Sequence, residues 1–441
     1  MSPARASLPR VNREMLRLAW PNVLSNVSVP LLSSVDTALM GHLSAAHLGA
    51  VGLAGMLFNF AYWNFGFLRM GTTGLTAQAF GEVDRSAQAR VLGTAGLLAL
   101  AIAALLLALQ APLFALAEWG LNVPPDQRAL VADYYRIRIW AAPATLLLYV
   151  ANGWFFGQQN ARLPLALAVA ANVVNVGVSV ALVRGAGWST AGVAAGTVVA
   201  QYLGLALATL ALWRRYPWAA AALRDVAYLR LASYRRLLRV NADIFLRTLS
   251  LTFAFAFLYA RAAAAGELAL AVATLLLQFL NWMSYAVDGF AYAAEAMVGK
   301  YTGAANRVAT RRAIHLAHGW GFALAAAFAL VYGLAGGPIA RLFTDAPAVL
   351  AATADLLPFL IALPLLGSAC YIWDGVFVGL TATRAMRDTM FLALVAYLTA
   401  YYALRGPLGE GPAVWWALLV FLAARGALQS LWWWRRGLGL R

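Results

Sequence analysis

Carboxylates set in long apolar sequence cost a few kcal/mol each on membrane-insertion scales, so each one invites a functional reading. The deepest in this chain is Asp36. Asn22, Ser25, Asn26, Ser33 and Asp36 recur at helical spacings and make one polar stripe. Pro30 lies in the same segment, where it removes an amide donor, frees a carbonyl near Asn26 and bends the helix. A bent polar helix that ends in a carboxylate has the chemistry of a moving part worked by a proton or a cation. The alternative is a carboxylate solvated at the outer mouth, since the apolar run ends about Leu39.

Asn172, Asn175 and Ser179 share a face further on and could offer neutral oxygens to a cation or to a protonated Asp36. Membrane asparagines also serve as packing hydrogen bonds. In the second half Asp288 and Glu295 stand seven apart on one face, and Asp374 follows in a later apolar run. Arg247 and Arg69 are natural counter-charges for these acids, with structural pairing and function equally open. Met56, Tyr62, Trp63, Phe155, Trp282, Met283, Tyr285 and Tyr292 could line a cavity for bulky cations, although core or lipid-facing roles are commoner. His42, His47, His315 and His318 fall in or beside expected loops and receive no ligand role. No metal-ligand spacing, phosphate loop or serine elbow is present, so no metal site is expected.

These residues must be positioned by membrane helices. The chain of 441 residues is 63% hydrophobic and 11% charged, far from the roughly half apolar, quarter charged balance of soluble domains. Its mean hydropathy is +0.72. The net charge of +16 could suggest nucleic acid, but the arginines sit in short runs between apolar stretches and line no polar face. The single cysteine, Cys370, excludes an intrachain disulfide. The basic start lacks an evident cleavage site for a signal peptide. About 20 apolar residues span a bilayer as a helix. Twelve stretches qualify: 15–39, 48–80, 91–116, 131–156, 163–183, 191–213, 238–260, 268–298, 313–334, 349–380, 390–404 and 413–434. The eleventh is short and is expected to borrow flanking residues.

The N-terminus, the even-numbered gaps and the C-terminal tail hold 23 of the 33 basic residues, which places both termini in the cytoplasm by the positive-inside rule. The richest gap, with seven arginines, falls mid-chain. It divides the sequence into a six-helix lobe over 1–213, a cytoplasmic linker over 214–237 and a second six-helix lobe over 238–441. The lobes look duplicated. Gly153 to Arg162 matches Gly375 to Arg384 at an offset of 222 residues, and the strings ending at Gly81 and Gly299 match at 218. Such a repeat is a transporter arrangement, with substrate between two bundles and alternating access by rocking.

The strings at 18–43 (Leu-Ala-Trp-Pro-Asn-Val-Leu-Ser-Asn, then Val-Asp-Thr-Ala-Leu-Met-Gly-His-Leu) and at 65–78 (Phe-Gly-Phe-Leu-Arg-Met-Gly-Thr-Thr-Gly-Leu-Thr-Ala-Gln) resemble the multidrug and toxic compound extrusion transporters. Residues 241–249 and 288–295 look like the DNA-damage-inducible F branch of that family. The resemblance covers essentially the whole chain. It implies an all-α integral membrane protein, twelve helices in a V-shaped pair of pseudo-symmetric lobes, and antiport of organic compounds, often cationic, against protons or sodium. The family's coupling aspartate falls on Asp36 and its proline on Pro21. The asparagine, acid and threonine of the family's cation site fall on Asn175, Ser179 and Thr197, so the acid is missing here. Asp374 matches the acid that other branches place in the tenth helix.

The expectation is a proton-coupled exporter of amphiphilic or cationic small molecules, multi-pass in the cell membrane, a monomer in the bilayer that needs no cofactor beyond its coupling ion. Sodium coupling and a flippase for lipid-linked or other metabolites are the rivals. Few intramembrane arginines (Arg69, Arg247, Arg425) weigh against an anionic diphosphate cargo, and singly scattered carboxylates weigh against a magnesium-diphosphate enzyme.

Overall fold

The computed structural model describes residues 7–41, 44–121, 123–223 and 231–437; the side chains of 27–38, 41, 45, 121 and 231–233 lie outside the described set. A chain this apolar must satisfy its amides within each segment, and the described residues form helices and no strand. In order these are α1 (Leu8–Gly41), α2 (Ala45–Asn64), α3 (Phe67–Gly81), α4 (Arg85–Ala108), α5 (Gln110–Leu121), α6 (Arg128–Arg138), α7 (Ala142–Gly157), α8 (Arg162–Val180) and α9 (Thr190–Arg215). There follow α10 (Pro217–Ala222), α11 (Leu231–Ala264), α12 (Glu267–Gly303), α13 (Arg307–Arg341), α14 (Pro347–Asp355), α15 (Leu357–Gly379), α16 (Thr383–Leu408) and α17 (Glu410–Arg436). Among the described residues 11 helical segments are long and apolar enough to cross a membrane. With the 34-residue α1 they correspond to the twelve expected spans. The short eleventh span is lengthened in α16 by seven residues before Met390, as expected.

Contacts divide the chain into two compact units, one of residues 27–241 and one of residues 1–26 with 242–441. This differs from the sequence halves because α1 and α11 each contribute to both units. The expected linker over 214–237 is largely structured where it is described: Arg214 and Arg215 end α9, and α10 packs on α4 and α9.

Within the units the repeat is detailed. In the first, α3 and α4 pack on α7 and α8 on α9; in the second, α12 and α13 pack on α15 and α16 on α17. Val83 and Ala305 take left-handed backbone after α3 and α12, as do Gln159 and Thr381 after α7 and α15. Each turn is closed by the same bond: the Asp84 amide donates to Ala79 O at 3.0 Å and the Asn306 amide to Tyr301 O at 2.9 Å. Asp84 then caps α4 through Ala87 N at 2.9 Å, and Asn306 caps α13 through Ala309 N at 3.0 Å. All of these pairs stand 222 apart, so Gly81 corresponds to Gly303 and not to Gly299; the alignment at 218 is corrected. Six arginines recur at the same offset: Arg13 and Arg235, Arg17 and Arg239, Arg85 and Arg307, Arg90 and Arg312, Arg162 and Arg384, Arg214 and Arg436.

Glycine sets the closest helix contact in both repeats. A Cβ on Gly153 would run into the Arg69 carbonyl of α3, and one on Gly375 into the Ala291 carbonyl of α12. A turn later, a Cβ on Gly157 would lie 2.5 Å from Thr76 Cβ, and one on Gly379 2.6 Å from Glu295 O. Close backbone approach needs small residues at such crossings.

Candidate functional site

In the unit of residues 27–241, α8 carries Asn172, Asn175 and Ser179 and gives way to a π-helical turn over Ala181–Gly185. Such turns leave backbone groups re-aimed and often occur at functional sites. Asn175 Nδ2 donates to Thr197 Oγ1 of α9 at 2.9 Å, and Thr197 Oγ1 donates to Val193 O at 3.1 Å. Ser179 lies against Gly196 of α9, where a Cβ would stand 2.9 Å from the Ser179 amide nitrogen. The structure therefore brings Asn175, Ser179 and Thr197 into one cluster.

Asn175 and Ser179 are 1% and 0% exposed, and Asn175 Oδ1 and Ser179 Oγ have no hydrogen-bond partner. A buried polar oxygen left unmade costs about 1–3 kcal/mol, so two together mark a place where a donor or cation would be welcome. Asn172, on the same helix, is half-buried and engaged. The α1 helix runs through Pro21, whereas the side chains of Pro30, Ser33 and Asp36 lie outside the described residues. Asn22 is buried with Oδ1 unpartnered, and Asn26 Nδ2 donates to Tyr285 O at 3.0 Å within the other unit.

That other unit holds a charged cluster instead. Asp374 of α15 is paired with Arg247 of α11 and accepts from Arg425 Nη2 at 2.8 Å and Gln429 Nε2 at 2.9 Å, both of α17. Arg247 is thus one counter-charge that the sequence proposed, while Arg425 and Gln429 were not assigned to Asp374. Their signal was available: two polar groups four apart on one face of an otherwise apolar helix. Two guanidiniums and an amide on one buried carboxylate form a locked arrangement, because breaking it strands buried charge. Glu295 is 1% exposed and Asp288 half-buried, both engaged. A second cluster that sequence reasoning missed joins Asp243 to Thr383 Oγ1 at 3.1 Å and to Arg387 Nη1 at 2.6 Å.

Of the aromatic and sulfur candidates, Tyr62, Phe155 and Met283 are buried and Met56, Trp63 and Trp282 exposed. His315 and His318 lie within α13, which extends well before the expected span, and His318 packs against Trp373 with ring centres 4.5 Å apart. His47 stands in the first turn of α2 beside Ser44, and His42 lies outside the described residues. No cluster of metal-binding side chains occurs among the described residues.

The MatE family profile matches residues 21–181 and again 244–402, one copy per repeat. The DNA damage-inducible protein F of Escherichia coli is 36% identical over 98% of this chain and 95% of its own length. Protein DETOXIFICATION 44, chloroplastic, of Arabidopsis thaliana is 24% identical over 94% of this chain and 81% of its own. Among solved structures, the Vibrio cholerae MATE transporter VcmN in its bent form superposes with a TM-score of 0.87 at 21% identity, covering 99% of each chain. A MOP superfamily transporter from Pyrococcus furiosus, described as having a binding pocket of reverse polarity, gives 0.87 at 20% identity over 98% of this chain and 97% of its own. The chain belongs to the MatE family: it is a multi-pass membrane transporter of the multidrug and toxic compound extrusion type, and not an enzyme.

Proposed function

We propose that this chain exports amphiphilic or cationic organic compounds in exchange for protons, by alternating access, as a monomer in the inner membrane with both termini cytoplasmic. The observation that carries the coupling is the composition of the α8–α9 cluster. Asn175, Ser179 and Thr197 offer neutral oxygens only, and two of them stand buried without a partner. A hard cation wants several oxygens with enough negative charge to offset dehydration, whereas a proton needs one carboxylate. Asp36 supplies that carboxylate in this reading, and Ser179 stands where a second acid would favour sodium. Asp374 is already engaged by Arg247, Arg425 and Gln429, which leaves it a poor receiver of either ion.

Protonation of Asp36 removes a charge that otherwise demands donors, so α1 with its Pro21 and Pro30 can settle differently around the substrate. Asp36→Asn fixes the neutral form. In proteoliposomes with an imposed pH gradient, this variant should insert normally, retain weak dye binding and lose gradient-driven export. Export at wild-type rates would refute Asp36 as the switch.

A further inference from the structure

Arg138 ends α6 where the helix tightens into a 3₁₀ turn over Ile139–Ala141, with Pro143 following in the first turn of α7. An arginine within a membrane segment invites a functional reading, and a change of helix type often accompanies a working site. Its guanidinium lies 5.5 Å from the centre of the Phe58 ring and 5.6 Å from that of Tyr62, both on α2. Both rings lie within cation–π reach of the guanidinium. Nη1 is buried with no hydrogen-bond partner. Among the described residues no carboxylate pairs with it, although Arg128, at the start of the same helix, is paired with Glu118.

Tyr62 and Thr145 are each 6% exposed, their hydroxyls lie beside one another, and neither completes a hydrogen bond of ordinary geometry. A guanidinium can only donate, and phenol and threonine hydroxyls each have a proton to give. One of the two hydroxyls can donate to the other, which leaves one hydroxyl proton and the Arg138 guanidinium in need of an acceptor, and a guanidinium asks for a negative one. Arg138 as a whole is half-buried, while its Nη1 is sealed from solvent.

The geometry points to a subsite for an anionic oxygen group, a carboxylate or sulfonate carried on an amphiphilic substrate, built from Arg138, Tyr62 and Thr145. It lies within the unit of residues 27–241 that also holds the Asn175 cluster, and would let the transporter take zwitterionic or acidic amphiphiles beside simple cations. It rests on the transport reading only for what happens to the ligand after binding.

The test is equilibrium binding to the purified full-length chain, followed by fluorescence anisotropy, of a rhodamine with a free carboxyl and of the ethyl ester of the same dye. Wild type should bind both. Arg138→Gln should weaken the carboxylate dye by about tenfold, the size of one lost charge-assisted hydrogen bond, and leave the ester within about twofold. Tyr62→Phe removes one oxygen and no bulk, so it tests the same subsite should Arg138→Gln fail to fold. It should weaken the carboxylate dye by about threefold and spare the ester, a loss typical of one neutral hydrogen bond. Equal losses for both dyes, no loss in either variant, or a wild type that ignores the carboxylate dye would each overturn the subsite. Selective binding without gradient-driven export of either dye would uphold the subsite and sink the transport reading.

Discussion

The two repeats keep one backbone plan and fill it with opposite chemistry. At an offset of 222 the turn residues Val83 and Ala305, the caps Asp84 and Asn306 and the contact glycines Gly153 and Gly375 coincide. The interior residues do not. Asn152 of α7, with an unpartnered buried oxygen, corresponds to Asp374 of α15, which is held by two arginines and a glutamine. Asn175 and Ser179 correspond to Tyr397 and Tyr401, which are 1% and 0% exposed and meet the Phe257 ring edge to face. Helix ends and crossings are constrained by sterics that both copies share. Side chains facing the interior are free to diverge, and here the neutral Asn152, Asn175 and Ser179 of one copy stand where the other has the clamped Asp374 and two tyrosines. The first pattern suits a site that changes protonation or ligand, and the second a scaffold.

The largest effect should therefore come from the scaffold. Asp374→Asn leaves Arg247 and Arg425 buried without their carboxylate, which should cost about 3–5 kcal/mol. Asn175→Ala removes one neutral hydrogen bond and should cost about 1 kcal/mol while impairing transport. Chemical unfolding in detergent with both variants checks the contrast; equal costs would mean that the two interiors are alike in kind.

Much of this was legible in the sequence. The twelve apolar runs gave the spans, because backbone satisfaction in lipid leaves no other choice. The Gly153–Arg162 string gave the true repeat offset since both its glycines touch backbone. The string ending at Gly81 aligns with Gly299 as readily as with Gly303, because glycines recur at both positions and only the left-handed turns at Val83 and Ala305 tell them apart. Family resemblance grouped Asn175, Ser179 and Thr197, whereas the hydrogen bond between Asn175 and Thr197 is visible only in the structure. Arg425 and Gln429 stand out as a polar pair in sequence, but their partner does not, since the clamp on Asp374 joins α11, α15 and α17 across up to 127 residues. The run Arg307 to Arg312 before His315 and His318 is polar enough to resemble a loop, yet it forms the first turns of α13.

A smaller test separates the two caps. Asp84 stands between membrane segments, and its carboxyl is held below the usual carboxylate range by the Ala87 amide first and the Ser86 hydroxyl next. A depressed value in the folded state means the cap's contribution is present above the ordinary aspartate range and is lost as pH falls through the folded value. Asn306, its counterpart, does not titrate. Hydrogen-exchange protection in the first turn of α4 should fall on acidification while that of α13 holds, and parallel behaviour would show that the caps do not govern these ends.

The central claim is that coupling resides in the repeat with neutral partners and runs on protons. The most direct measurement is dye export from proteoliposomes that contain no sodium on either side, driven by an imposed pH gradient alone. Export should scale with the gradient and stay unchanged when sodium is added. Export that requires a sodium gradient and ignores pH would contradict it, and would shift the coupling site to Asp288, Glu295 and Asp374.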